Sequence, residues 1–130
     1  MIVDSSALIA IIFGEPEGTA LLERLMFGSP RMSAATYFES GMVIDRKAKD
    51  DFAAKAFDRL LELTRVEVVA VTREHAEIAR SAYREFGKGN HPASLNFGDC
   101  FAYALAKQAG EPLLFKGDDF ARTDITSALK

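Results

Sequence analysis

Asp4, Glu39, Asp99 and the adjacent Asp118 and Asp119 are the residues of this chain best suited to chemistry, because each stands beside an apolar run that would carry it to a common place. Carboxylates brought together repel one another, so a cluster of them calls for a divalent cation. No His or Cys accompanies these acids as an obvious co-ligand, and ligation by oxygen alone suits Mg²⁺ or Mn²⁺.

The elements that must position them are legible in outline. Met1-Ile2-Val3 and Pro112-Leu113-Leu114-Phe115 read as buried strands, and acids follow both. Arg31-Met32-Ser33 is a weak second strand, and the β-branched stretch Val66 to Val71 a third. Between them lie helical patterns over Ser5–Phe13, Glu17–Phe27, Ala34–Lys47, from a cap at Asp50 or Asp51 to Leu63, and Arg73–Phe86 with Thr72 as cap. Gly87 to Pro92 reads as a loop, and Phe97–Ala109 is apolar nearly all round, the mark of a helix in the middle of the fold. A helical turn within Lys116–Arg122 and a last short strand from Ile125 complete the chain. Strands alternating with helices predict one α/β domain over 1–130, a three-layer α/β/α sandwich around a mainly parallel sheet. Right-handed crossovers then put the carboxyl ends of the strands on one side, where ligands gather.

Composition narrows the field further. The 130 residues suit one domain with a real core, at 48% hydrophobic and 27% charged. No apolar run approaches the roughly 20 residues that span a bilayer, and Met1 leads directly into a strand, so the expected location is the cytoplasm. A net charge of −3 and a pI near 5.4 argue against binding nucleic acid by bulk electrostatics, though not against holding a phosphodiester through metal. Cys100 is the single cysteine and reads as a buried, inert residue.

Each acid has a plain alternative. Asp4 could cap the helix after it, although Ser5 and Ser6 are available for that; Ser6 could instead orient a ligand or water. Glu39 could be a surface Glu that snorkels to water, but it shares a helix face with Ala35, Met42 and Val43 and no Lys or Arg lies four residues on, which favours a role at a metal. Asp99 follows Asn96 at capping distance in the first turn of the apolar helix, which places it at a core edge facing a cleft. Asp118 and Asp119 diverge, and the choice leans to Asp119 because Phe120 beside it would anchor its direction. His75 beside Arg73 and Glu74 reads as surface, and His91 as a loop residue with a phosphate contact as the weaker reading. Lys116 would pair with the last acid or meet a phosphate, and Arg80 and Arg84 share one helix face.

Ile2-Val3-Asp4-Ser5-Ser6-Ala7-Leu8, Ser33 to Glu39, Gly98-Asp99-Cys100-Phe101-Ala102-Tyr103-Ala104-Leu105-Ala106 and Pro112 to Phe120 together resemble the PIN-domain ribonucleases, in particular the VapC-type toxins of bacterial toxin–antitoxin pairs. The likeness covers nearly the whole chain in the family's order. It implies a Mg²⁺- or Mn²⁺-dependent endoribonuclease acting on RNA, silenced by a VapB-type antitoxin and forming a homodimer. Asp4, Glu39 and Asp99 match the family's three central acids, with Asp4 and Asp99 as direct ligands. Where many relatives carry an acid two residues before the Asp-Phe pair this chain has Gly117, which leaves the fourth role to Asp118 or Asp119. Two other readings are a metal-dependent phosphohydrolase of α/β type and an inactive PIN-like binding domain. Apolar residues on two flanking helices, Leu21, Leu22, Leu25, Met26 and Phe27, then Phe52, Phe57, Leu60 and Leu61, predict a shared interface.

Overall fold

The computed structural model describes residues 1–48 and 50–129. Four short parallel strands, β1 (Ile2–Val3), β2 (Arg31–Ser33), β3 (Glu67–Val69) and β4 (Leu113–Leu114), form one sheet in the order β3-β2-β1-β4. Six helices connect them: α1 (Ser5–Ile12), α2 (Gly18–Phe27), α3 (Ala34–Lys47), α4 (Phe52–Thr64), α5 (Arg73–Phe86) and α6 (Phe97–Ala109), and a 3₁₀ turn spans Phe120–Arg122.

Side chains alternate across a strand, and here the alternation divides the core in two. Ile2 and Leu113 pack with Leu105, Ala102 and Phe86 on the face covered by α5 and α6. Val3, Met32 and Leu114 pack on the other face with Leu8, Leu21, Leu25, Ile44, Phe57 and Leu60 from α1 to α4. This is the α/β/α sandwich expected from the sequence. Among the described residues no helix is long and apolar enough to cross a membrane.

The differences from expectation have local causes. β3 stops at Val69 because it is an edge strand whose only partner, β2, ends at Ser33. The last strand reduces to a single bridge in which Leu113 N–H donates to the Thr126 carbonyl and Ala128 N–H to the Leu113 carbonyl. His75, expected at the surface, is only 5% exposed. It shares the buried face of α5 with Ala79, Ala82 and Phe86, its Nδ1 accepts from Thr72 N–H, and Nε2 lies 3.3 Å from Gln108 Oε1. Lys116 does not pair with the last acids: its Nζ lies 2.6 Å from Glu15 and 3.4 Å from Glu17, which ties the end of β4 to the α1–α2 turn. His91 structures its own loop, with Nδ1 accepting from Ala93 N–H and the ring edge-on to Phe86.

Candidate active site

Asp4 follows β1 at the carboxyl edge of the sheet and caps α1 itself, a task the sequence left to Ser5 or Ser6. Its Oδ2 accepts from Ser6 N–H at 3.0 Å and from the Ser6 hydroxyl at 2.6 Å. Capping uses one oxygen only. The other, Oδ1, is buried and has no hydrogen-bond partner among the described residues, in a side chain left only 2% exposed. Burial pushes the Asp4 carboxyl up to about 6 against the pull of the Ser6 hydrogen bonds, and the charge of Glu39 adds to the rise. Ser6 Oγ also accepts from Lys116 N–H at 3.0 Å, so one hydroxyl locks the end of β4 to the start of α1.

Glu39 reaches the same edge from α3, which begins directly after β2 and is capped by Ser33. Its Oε1 accepts from the Ser5 hydroxyl at 2.8 Å. The rest of its carboxylate lies against Gly98 on α6: a Cβ at that position would stand 1.7 Å from Oε2. The sequence suggests Ser5 only as a helix cap and gives Gly98 no role of its own. A glycine inside the first turn of a buried helix costs about 1 kcal/mol against Ala, and that cost is the signal that something must lie close to its backbone.

Asp99 is held by a reciprocal cap with Asn96: Asn96 N–H donates to Asp99 Oδ2 and Asp99 N–H to Asn96 Oδ1, each at 2.9 Å. It is 9% exposed. Burial pushes its carboxyl up to about 7; the Asn96 hydrogen bond opposes the rise, and the charges of Asp4, Asp119 and Glu39 add to it. Asp99 thus feels Asp4, Glu39 and Asp119, but not Asp118. Asp119 is exposed, immediately before the 3₁₀ turn, and Phe120 is buried beside it. Asp118 instead lines a separate cleft with Glu17, Phe115 and Ile125. The Cys100 thiol is buried and pushed up to about 11 by burial and by Asp99, as fits an inert residue.

The acids share one region and one electrostatic field, but not a finished ligand sphere. Among the described residues no three His, Cys, Asp or Glu side chains stand ready to hold an ion between them. Ser6, Ser5 and Asn96 each take one carboxylate oxygen, which aims the second oxygens without bringing them together. The donor set still fits a hard divalent cation, since it is all oxygen and includes a buried carboxylate oxygen that nothing else among the described residues satisfies.

A PIN domain family model matches residues 1–125. The chain belongs to the PIN domain family. Ribonuclease VapC28 of Mycobacterium tuberculosis is 47% identical over 131 residues, spanning 99% of this chain and 98% of that protein. Ribonuclease VapC of Mycolicibacterium smegmatis is 45% identical over 129 residues, spanning 98% of each. Among solved structures, Mycobacterium tuberculosis VapC20, a Sarcin-Ricin loop cleaving toxin, superposes with a TM-score of 0.75 at 18% identity, covering 96% of this PIN domain and 95% of its own chain. A toxin–antitoxin complex from Klebsiella pneumoniae gives 0.69 at 18% identity, covering 95% and 92%. At that identity these two structures speak to the PIN fold alone.

Proposed function

We propose that this PIN-domain protein is a Mg²⁺- or Mn²⁺-dependent endoribonuclease and the toxin of a type II toxin–antitoxin pair, working in the cytoplasm. The 47% identity to a VapC ribonuclease along the whole chain supports the activity. The observation that carries the metal requirement is Asp4 Oδ1, a buried carboxylate oxygen without a partner among the described residues, in the field of Glu39 and Asp99.

Asp4 Oδ1 and the Asp99 oxygen that Asn96 does not engage would hold the cation directly, with Asp119 completing the set from the exposed rim and Glu39 facing the cation's water. Such a cation, when bound, acidifies a water and neutralises charge on the phosphoryl oxygens. The chain's own residues do the rest. Ser6 fixes the Asp4 carboxylate through Oδ2 and so sets where Oδ1 points. Asn96 does the same for Asp99. Ser5 holds Glu39 Oε1, which leaves Oε2 to take a proton from the attacking water. One P–O bond forms to the water oxygen, one breaks to the leaving nucleotide, and the leaving oxygen takes a proton.

An antitoxin of VapB type is the proposed partner. The cleft of about 600 Å³ between α3 and α4, lined by Tyr37, Phe38, Met42 and Phe57 together with Asp45, Arg46 and Asp58, suits an amphipathic segment. A homodimer would cover Met26, Phe27 and Phe52, which remain exposed while Leu21, Leu25, Phe57 and Leu60 enter the core. The test of the activity is cleavage of single-stranded RNA by the wild type and Asp99→Ala, with Mg²⁺, with Mn²⁺ and with EDTA. Cleavage by the wild type alone, abolished by EDTA, is expected; cleavage that survives EDTA or the substitution would overturn the reading.

A further inference from the structure

A second cleft, of about 430 Å³, opens between α5 and α6. Its walls are aromatic and small, with Phe97, Cys100 and Phe101 of α6 on one side and Ala76, Ala79, Arg80 and Tyr83 of α5 on the other. Phe97 is the first residue of α6 and is 78% exposed, an unusual place for a Phe that contributes nothing to the core. Its ring makes a T-shaped contact with Phe101 at 5.0 Å, which holds it in place while most of its surface stays exposed. Gly98, against which Glu39 lies, is the next residue, and Asp99 the one after it. Neither Arg80 nor Arg84, one turn apart on α5, takes part in a salt bridge among the described residues.

An apolar cleft of this kind could cover itself with a second copy of the chain or with RNA. Three features favour RNA. Ring faces beside an uncommitted guanidinium are what a base and its phosphate require. The guanidinium is complementary to a polyanion in a chain that is otherwise acidic. Phe97 and Cys100 on its wall also flank Gly98 and Asp99 in the first turn of α6, so the cleft and the acidic site share that turn. We propose that this cleft seats an unpaired base of the RNA strand next to the cleaved phosphodiester, stacked on Phe97, with Arg80 on the neighbouring phosphate. The inference rests on the ribonuclease reading and adds to it a requirement for single-stranded RNA at that nucleotide.

The chain contains no Trp, so Phe97→Trp creates a single fluorescent reporter that can still stack. With metal chelated to prevent turnover, short single-stranded oligouridylate and oligoadenylate should quench its emission, and a fully paired RNA hairpin should not. In cleavage assays on mixed-sequence single-stranded RNA, Phe97→Ala and Arg80→Ala should each raise KM, Phe97→Ala by about tenfold or more, with kcat changed by less than about threefold and Phe97→Trp close to wild type. Emission that ignores single-stranded RNA, or a KM unmoved in Phe97→Ala, overturns the subsite. Emission that shifts with protein concentration instead of RNA also overturns it, in favour of a second copy over the cleft. A wild type that cuts no RNA would sink the activity reading, while the chelated binding experiment judges the subsite separately.

Discussion

Replacing Asp4 by Asn should make the metal-free protein more stable while removing its activity. Asp4 is 2% exposed and its carboxyl sits at about 6, against 3.8 when free. Between those values the folded chain binds more protons than the unfolded chain, so stability falls as pH rises through this window. At about 1.4 kcal/mol per pH unit the penalty is about 3 kcal/mol at neutral pH and above, and about 1 kcal/mol near pH 4.5. Asn removes the penalty but weakens the Ser6 hydrogen bonds and leaves amide hydrogens where Oδ1 lies, at a cost of about 1 to 2 kcal/mol. Urea unfolding in EDTA near pH 7.5 should therefore show Asp4→Asn more stable by about 1 to 2 kcal/mol, and near pH 4.5 no gain or a slight loss. Saturating Mn²⁺ should reverse the order near pH 7.5 by stabilising only the wild type. An Asn variant equal to or weaker than wild type in EDTA at pH 7.5 would refute the claim that Asp4 is a buried charge awaiting a cation.

Other substitutions separate the roles of neighbouring residues. Gly98→Ala should displace the Glu39 carboxylate, lowering RNA cleavage at least about tenfold while urea stability changes by less than about 1 kcal/mol, because the clash falls on the end of a flexible side chain and Ala favours the helix. Ser6→Ala removes the hydroxyl that donates to Asp4 and accepts from Lys116 N–H; a loss of about 1 to 2 kcal/mol by urea unfolding and a fall in kcat are expected, with Ser6→Thr restoring both. His75→Ala should cost about 1 to 3 kcal/mol through the lost α5 cap and the contact with Gln108, yet leave kcat unchanged in the same cleavage assay.

Much of this site is local in the chain, and local features are readable. Asp4 directly after an apolar strand, Asp99 at capping distance from Asn96, and α6 closed by Gly110 in the left-handed conformation are all written within a few residues. Partners distant in sequence are not readable in this way. Lys116 finds Glu15 across 101 positions, and Glu39 meets Gly98 only because α3 packs on α6. His75 was misplaced because charged neighbours outweighed its helical spacing to Ala79, Ala82 and Phe86, which the α5–α6 contact buries. Phe120 enters the core as its apolar character suggests, while the charge of Asp119 reaches Asp99 only through the turn after β4, which no local pattern encodes. That Ser5, Ser6 and Asn96 each occupy a carboxylate oxygen, and so hold the acids short of a finished ligand sphere, needs the folded geometry.

The central claim is that the buried acids form a cation site, and Mn²⁺ binding by titration calorimetry tests it most directly. With Asp4 at about 6 and Asp99 at about 7 in the metal-free protein, binding near pH 6.5 must displace about one proton, seen as a dependence of the heat on the ionisation enthalpy of the buffer. Saturable binding with that proton release, lost in Asp99→Asn, is the predicted result. No binding, or binding that Asp99→Asn leaves intact, would contradict the account.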